Sequence, residues 1–277
     1  MMKSGQRGVA VVLAMGVVAA AAIAAAAMLA SQSTWSRHAE LSAEHVQAQA
    51  LVQAGVDWTR ALLYDDRRLS SVDHLGEPWA MRLPPVPVDN GELAGQINDQ
   101  QAAFNLNNVF SGGKQSPAQV LQLRRLLQIL GLPDALADAY VAAGRPLIDP
   151  AELALIPGFD AARRARLRPF VTALPRFTAV NVNTASPEVL AAVIEGLDLD
   201  AARELVAQRG RAYFRNRADF LAQLPPGAVA GGNDVATSSE FFQASVRVTI
   251  GAAQARGSAL LQRASSGWPV VVWRKYP

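Results

Sequence analysis

The chain has 277 residues, of which 51% are hydrophobic and 6% aromatic, and its formal net charge is +3 at pH 7. This length suffices for a membrane segment and one or two modest domains. Because its basic residues do not form one dense block, the charge argues against nucleic acid as a main partner. The sequence contains no cysteine, which excludes thiolate catalysis, disulfides and cysteine-type zinc sites.

The N-terminus combines a short basic segment with a long apolar run. Residues 1–8 include Lys3 and Arg7, and residues 9–30 contain neither a charge nor a proline. A helix of that length, at about 1.5 Å per residue, spans about 33 Å and crosses the hydrocarbon core of a bilayer. The positive-inside rule keeps the basic residues cytoplasmic. The sequence therefore predicts a single membrane pass with the body of the chain outside the cytoplasm.

Three interpretations of this leader are open. A cleaved secretory signal has a shorter apolar core, although the alanines near residues 25–30 would tolerate cleavage. A signal anchor agrees with the hydropathy but leaves the basic run ending in Gly8 unexplained. The third interpretation is a prepilin-type leader that is cut between Gly8 and Val9, and the sequence favours it.

The helical pattern continues beyond the apolar run. An apolar stripe recurs every three or four residues at Ala39, Ala43, Val46, Ala50, Ala54, Trp58 and Leu62. We therefore expect one transmembrane and stalk helix over residues 9–64, about 84 Å long, whose outer half packs on a globular head. An anchor followed by a separate helix is the alternative.

Strand signals flank a helical block. Residues 65–87 are rich in proline and glycine and predict a loop, and residues 88–98 predict a hairpin around Asp89-Asn90-Gly91. Residues 65–110 form the first part of the head in this interpretation. Alternating apolar residues at 241–250, with further strands at 258–263 and 269–274, predict an antiparallel meander within a C-terminal part, residues 226–277.

Residues 111–225 have helical character, beginning with a cap and a first-turn proline at Ser116-Pro117. A helical block between strands of one sheet indicates an α+β fold with an inserted all-α domain. Residues 149–168 and 183–209 each resemble a helix-hairpin-helix, as in SAM-like domains. Thr184 or Ser186 is expected to cap the first helix of the second copy.

The sequence offers one candidate for phosphate binding and none for catalysis. Arg163, Arg164, Arg166 and Arg168 follow Gly158, as at a helix start that holds a phosphate. The paired glycines of such hairpins are missing, which favours a compact packing unit. His38 and His45 share a face of the stalk without a third ligand, and His74 lies in a loop. We find no nucleophile, phosphate-loop or zinc-protease motif, so we expect neither an enzyme nor a cofactor.

Five short segments carry a resemblance to a known family. They are Gly8 before the apolar helix and residues 99–108, 180–186, 240–242 and 260–263. The second contains Phe-Asn-Leu-Asn and the third contains Asn-Val-Asn-Thr-Ala, and these two elements together are fairly specific. With them, the whole chain resembles the minor pseudopilin K family of the type II (general) secretion pathway.

The resemblance implies a fold and a role. The fold would be the pseudopilin fold, a long N-terminal helix packed on a small antiparallel sheet. The protein would lie in the bacterial inner membrane with its C-terminal domain in the periplasm, at the tip of the pseudopilus, where it nucleates or caps the fibre. Prepilin peptidase would cleave between Gly8 and Val9, with N-methylation of Val9. Its partners would be the minor pseudopilins I and J, with H as a further candidate, and the major pseudopilin.

Two positions depart from the family pattern. Pilins and pseudopilins ordinarily carry a glutamate five residues into the mature chain, whereas this chain has Leu13. A subunit at the tip has no neighbour above it whose amine needs a carboxylate, so Leu13 marks a capping subunit in this hypothesis. The family's acidic stretch is abbreviated at residues 134–149, so its calcium sites cannot be carried over and the metal ligands are unknown.

Two further hypotheses stay open at this point. The arginines after Gly158 suggest a DNA-binding minor pilin of a type IV pilus or DNA-uptake machine, which salt-dependent nucleic-acid binding would distinguish. A solitary anchored periplasmic protein would show no processing at Gly8. The acidic pairs Asp65/Asp66 and Asp198/Asp200 have the chemistry for calcium, although such pairs are ordinary in surface turns.

Overall fold

A computed structural model describes residues 5–264 and 266–276. Its first element is a single helix, α1 (Gly5–Leu69), of 65 residues. The helix starts before Gly8 and ends five residues after the predicted end at Tyr64, and it has no break between its membrane half and its stalk half. The alternative of an anchor plus a separate helix is therefore wrong. Lys3 and the rest of residues 1–4 lie outside the described part of the chain.

Five antiparallel strands form the main sheet in the order β1-β2-β9-β10-β11. They are β1 (Leu83–Val88), β2 (Gly91–Asp99), β9 (Phe241–Ile250), β10 (Ala253–Gln262) and β11 (Val270–Lys275). Strands β2 and β9 are hydrogen-bonded neighbours although the whole helical block separates them in sequence. This pairing confirms the α+β fold and the C-terminal meander.

The predicted loop over residues 65–87 is wrong at both ends. Helix α1 occupies its start and strand β1 occupies its end, although β1 contains Pro84, Pro85 and Pro87. Proline removes a backbone donor, and a strand tolerates this at the edge of a sheet. The hairpin itself is present, with Asn90 at φ 59° in its turn. The next residue, Gly91, has to be glycine, because a Cβ at this position would lie 1.8 Å from the carbonyl oxygen of Thr249.

Helix α1 packs on the sheet with a different face from the one predicted. The side chains that it buries are Ala48, Val52, Val56 and Leu63, against the β9 residues Phe242, Ala244, Val246 and Val248. This face carries Gly55, where a Cβ would lie only 2.8 Å from Val246 Cγ1, so it is the face on which the helix axis can approach the sheet. The predicted stripe from Ala39 to Trp58 is exposed along the stalk.

The inserted block contains six helices and six two-residue strands in its described residues. They are β3 (Phe104–Asn105), α2 (Pro117–Ile129), α3 (Ala135–Ala143), α4 (Ala161–Leu167), β4 (Val171–Thr172), β5 (Val180–Asn181), α5 (Pro187–Val193), β6 (Ile194–Glu195), α6 (Leu199–Arg209), α7 (Arg217–Leu221), β7 (Val229–Ala230) and β8 (Val235–Ala236). The block has a hydrophobic core of its own, built around residues such as Leu126, Tyr140, Leu190 and Phe220.

The block consists of two copies of one unit. Each copy opens with Asn-x-Asn, continues through a Ser-capped helix that starts with proline, and turns at a glycine with positive φ, Gly131 or Gly196. Each copy closes with a short parallel pair, β3 with β4 and β5 with β8. The copies are therefore residues 104–172 and 180–236. The two segments predicted to resemble each other, residues 149–168 and 183–209, are therefore not equivalent parts of the two copies. The first lies at the end of the first copy, and the second lies near the start of the second copy.

Two contacts orient the head relative to helix α1. The carboxylate of Glu44 accepts a hydrogen bond from Ala252 N in the turn between β9 and β10. The carboxylate of Asp66, near the C-terminal end of α1, binds Arg263 just after β10. The turn at Ala252 therefore lies towards the apolar N-terminal half of α1, and the inserted block leaves the sheet at the opposite, distal end.

Candidate functional site

The predicted processing residues lie in the membrane half of α1. Gly8 and Val9 are within its first two turns, and Leu13 follows one turn later with an exposed side chain. Within the described residues, one helix is long and apolar enough to cross a membrane, judged by length and composition. The side chains from residue 10 to residue 32 of this helix are exposed.

The exposed stripe of the stalk leads into an apolar groove. Trp58 is 51% exposed and Met81 is 65% exposed, and with Leu62, Leu83 and Leu93 they border a groove of about 340 Å³ between α1 and strands β1 and β2. We call this surface, from Ala39 to Leu62 with the groove, the stalk face. The stalk face is apolar, although the head of the same chain does not cover it.

At the distal end of the stalk lies a buried arginine among carboxylates. Arg263 is 3% exposed and donates to Asp66 at 2.7 Å and to both carboxylate oxygens of Asp73 at 2.6 and 2.5 Å. It also donates to Ser239 O at 2.9 Å, and its guanidinium lies 4.6 Å from the ring centre of Phe242. These contacts join the stalk, the loop after it and the sheet at one point.

Asp99 extends this cluster into the inserted block. Its Oδ2 accepts from Asn181 Nδ2 at 3.1 Å, Thr184 Oγ1 at 2.6 Å and Ser239 Oγ at 2.7 Å. Thr184 therefore does not cap α5, and Ser186 does so by accepting from Val189 N. We call the set Asp66, Asp73, Glu77, Asp99, Asn181, Thr184, Ser239 and Arg263 the polar junction.

Burial changes the acidity of two groups in the polar junction. It raises the pKa of Asp99 to about 6, against the hydrogen bonds from Thr184 and Ser239, which lower it. Burial and then the nearby charge of Glu77 raise the pKa of Asp66 to about 6, while Arg263 lowers it. Arg263 binds two of the four buried carboxylates of the junction, Asp66 and Asp73. For Asp66 and Asp99 the desolvation of the anion is the dominant effect on the pKa.

The second asparagine of each Asn-x-Asn element holds a loop of its own copy. Asn107 accepts from Leu147 N at 2.8 Å and donates to Leu147 O at 2.8 Å. Asn183 accepts from Phe214 N at 2.8 Å and donates to Phe214 O at 2.9 Å. Both side chains are buried. The residues that carried the family resemblance are therefore structural, because they satisfy buried backbone groups that have no ladder partner.

The arginines after Gly158 do not converge on a phosphate-sized site. Arg163 Nη1 donates to Gly158 O at 2.7 Å, and Arg164 Nε donates to Phe159 O at 3.1 Å. Both therefore hold carbonyls of their own hairpin. Arg166 lies near Gly131, and Arg168 is exposed beside a cleft. The arrangement has the form of a packing unit.

The remaining candidate ligands have local roles. Nε2 of His45 lies 2.9 Å from the side-chain amide nitrogen of Gln49, and the ring of His74 stacks on Tyr213 at 4.0 Å. Asp198 caps α6, and Asp200 pairs with Arg203 at 2.6 Å. Each group therefore has a partner within a few residues or in an aromatic stack.

Within the described residues, one group of three acidic side chains has its oxygens close enough to hold a metal. It comprises Asp66, Asp73 and Glu77. The guanidinium of Arg263 already binds two of them, and Glu77 accepts from Trp79 Nε1 at 2.7 Å and from His74 N at 2.9 Å. Calcium prefers six to eight oxygen ligands. The positively charged guanidinium of Arg263 repels a calcium ion and occupies the carboxylate oxygens that would bind it. This cluster therefore does not fit calcium.

An apolar N-terminal helix that continues into a stalk, with its outer half packed on an antiparallel sheet, defines the pseudopilin class. The computed structure is similar to one chain in the crystal structure of the GspK-GspI-GspJ complex from the enterotoxigenic Escherichia coli type 2 secretion system. The TM-score is 0.75 at 22% identity, and the match covers 87% of this chain and 99% of that chain.

Sequence comparisons identify the family. Two family models described as type II secretion system protein K match residues 136–176 and 180–239. Type II secretion system protein K of Pseudomonas aeruginosa is 35% identical, covering 96% of this chain and 91% of that protein. The protein of the same name from Klebsiella pneumoniae is 30% identical, with 98% and 96% covered. The chain therefore belongs to the type II secretion system protein K family, the minor pseudopilins K of this system.

These comparisons confirm the predicted family and do not favour a DNA-uptake pilin. Sequence reasoning missed the polar junction, because Asp66, Asp99 and Arg263 are far apart in the chain. The sequence did contain a signal for the polar junction, because Asp99 and Arg263 both lie in segments that carried the family resemblance. The unequal faces of α1 were also missed, because alanine and valine occur on both of them.

Proposed function

We propose that this chain caps the pseudopilus of a type II secretion system as its tip subunit, anchored in the inner membrane with its C-terminal domain in the periplasm. In this role it catalyses no reaction. Residues 1–8 serve as the leader and residues 9–64 as the packing helix. The predicted head segments, residues 65–110 and 226–277, flank an insert predicted at residues 111–225, and the two copies extend this insert to residues 104–236.

The position of the insert is the observation that carries this proposal. The insert leaves the sheet at the end where Arg263 binds Asp66, which is the end farthest from the membrane half of α1. A further subunit stacked above this one along the fibre would have to occupy the same volume. Subunits can therefore add below this one but not above it.

Leu13 supports the same position. A carboxylate within hydrocarbon is costly unless a cation pairs with it. In a tip subunit the side chain at this position has no ammonium group above it, and leucine avoids an unpaired buried charge. We expect Leu13→Glu to retain tip localisation but to lower the amount of assembled fibre, with Leu13→Gln as the uncharged control. Equal assembly by all three forms would contradict the argument from charge.

The stalk face is where partner helices would pack. An apolar helix face of this length, uncovered by its own head, fits the stalk helix of another pseudopilin. The E. coli protein of similar fold forms a complex with GspI and GspJ. We propose the minor pseudopilins I and J as the partners of this chain, with pseudopilin H and the major pseudopilin below them.

Two measurements test the function. The intact mass of the full chain, purified from cells containing prepilin peptidase, should correspond to loss of residues 1–8 and gain of one methyl group on Val9. Co-expression with pseudopilins I and J should yield a complex with one copy of each. An unprocessed chain, or one that purifies alone beside an assembled pair of I and J, would refute the proposal.

A further inference from the structure

A cleft of about 800 Å³ separates the sheet from the inserted block on the side opposite α1. Its floor is the outer face of the sheet, where Gln243, Ser258 and Trp273 alternate with the residues that face α1. Its wall is helix α4, with Arg164, and the residue that follows this helix, Arg168. The cleft shares no residue with the stalk face, so the function proposed above does not account for it.

Just beyond the floor, the outer face of the sheet carries two arginines in an unfavourable arrangement. Arg247 of β9 and Arg256 of β10 are direct cross-strand partners, and both are exposed. Like charges directly opposite each other destabilise a sheet. Neither side chain has a hydrogen bond or an ion pair with the residues that the structure describes. Arg256 lies two residues from Ser258, so this pair continues the floor of the cleft towards the membrane.

The carboxylates near the cleft do not neutralise these arginines. Asp149 pairs with Lys275 across the mouth of the cleft. Asp99 is held in the polar junction, and Glu92, on the outer face of β2 opposite Thr249, forms no ion pair with residues in the described ranges. Arg168, exposed on the wall, also has no partner there. Cations that form no ion pair with the described residues therefore lie on the wall, at Arg168, and on the sheet beside the floor, at Arg247 and Arg256.

The cleft also has an apolar component. Ile148 is 73% exposed at its rim, and the half-buried Trp273 contributes apolar surface to its floor. A nucleic acid needs many closely spaced cations to displace its counterions, and this surface offers few of them with apolar side chains between. Arginine binds carboxylates through paired hydrogen bonds, while Ile148 and Trp273 can contact an apolar side chain.

We propose that this cleft binds an acidic polypeptide segment, with apolar residues among its carboxylates, that is presented by another protein. Arg168 on the wall and Arg247 and Arg256 on the sheet beside the floor bind its carboxylates, and the segment relieves the repulsion between Arg247 and Arg256. The chemistry that recognises the ligand is thus charge complementarity combined with a small apolar contact.

Fluorescence anisotropy tests the proposal on the full chain in detergent micelles. The probe is a labelled peptide, Glu-Leu-Glu-Glu-Leu-Glu-Ser-Glu, in about 150 mM NaCl, where screening acts within about 8 Å. The comparison peptide has glutamine at every glutamate. The double variant Arg168→Gln/Arg256→Gln is compared with Arg211→Gln, which removes an exposed arginine from a different groove.

We expect saturable binding of the acidic peptide and not of the glutamine peptide. The double variant should weaken peptide binding at least about tenfold, which corresponds to the loss of one or more charged hydrogen bonds. The control variant Arg211→Gln should change the affinity for the peptide less than about twofold. Equal losses for the two variants, no saturable binding, or tighter binding of a 12-nucleotide oligothymidylate would each overturn the proposal. Fibre assembly by the double variant separates this result from a failure of the tip function.

Discussion

Replacing Arg263 tests whether the polar junction holds the stalk, sheet and insert together. The substitution Arg263→Met keeps the length of the side chain but removes the donors that reach Asp66 at 2.7 Å and Asp73 at 2.6 and 2.5 Å. Both carboxylates are buried, so the change leaves two anions without their cation. Breaking a buried ion pair by removing one partner costs about 3–5 kcal/mol.

That loss corresponds to a large shift in thermal unfolding. For a folded region of about 150–250 residues, 1 kcal/mol lowers Tm by about 2–4 °C, so we expect a decrease of about 6–20 °C. Near-ultraviolet circular dichroism of the full chain in detergent at pH 7.5 measures it. At pH 5 the deficit should be smaller, because Asp66, whose pKa is raised to about 6, is then mostly protonated.

Two further variants make the result specific. Arg256→Met removes an arginine from the same strand region, but Arg256 is exposed opposite Arg247, so its effect should stay within about 0.5 kcal/mol. Adding Asp73→Asn to Arg263→Met removes one orphaned charge and should restore part of the loss. A cost below about 1 kcal/mol for Arg263→Met, or one equal to that of Arg256→Met, would refute the reasoning.

Three other predictions concern buried groups. The pKa of Asp99 is raised to about 6 from 3.8, so ionisation of Asp99 lowers the free energy of unfolding as the pH rises from about 4 to about 6, by about 3 kcal/mol in total. The variant Asp99→Asn should flatten this part of the curve of Tm against pH. An unchanged slope would exclude Asp99 as the source of the pH dependence. Asn107→Ala should speed hydrogen exchange at the Leu147 amide while leaving Phe214 protected, since each asparagine serves only its own copy; equal acceleration at both amides would indicate global loosening instead. Gly55→Ala should cost about 1–2 kcal/mol, because its Cβ would lie 2.8 Å from Val246 Cγ1; in a double-mutant cycle Val246→Ala should remove most of that coupling, and additive effects would contradict the close approach.

The inserted block shows how a short motif is used twice. Asn105 and Asn181 each accept a hydrogen bond from the backbone N–H two residues later, at 3.1 and 3.0 Å. Their amide groups then differ. Asn105 donates to Arg176 O within the block, whereas Asn181 donates to Asp73 O and Asp99 outside it. The second copy therefore connects the block to the head.

The sequence by itself determined the elements whose signals are local. The uncharged run at residues 9–30 needs no tertiary contact to be read as a membrane helix, and Ser116, Ser186 and Asn90 make caps and turns with neighbouring residues. The alternation at residues 241–250 predicted β9 with its observed bounds, because one buried face imposes a period of two.

Only the tertiary structure decided which surfaces meet. The face of α1 that packs on the sheet depends on the close approach of Gly55 to Val246, which lie 191 positions apart in the sequence. The partners of Arg263 and the outward pair Arg247 and Arg256 likewise depend on strand register and on the return of the chain after the insert. Such contacts form between residues that are distant in the sequence. Periodicity and composition describe each segment separately, so they do not indicate which distant residues lie close together in space.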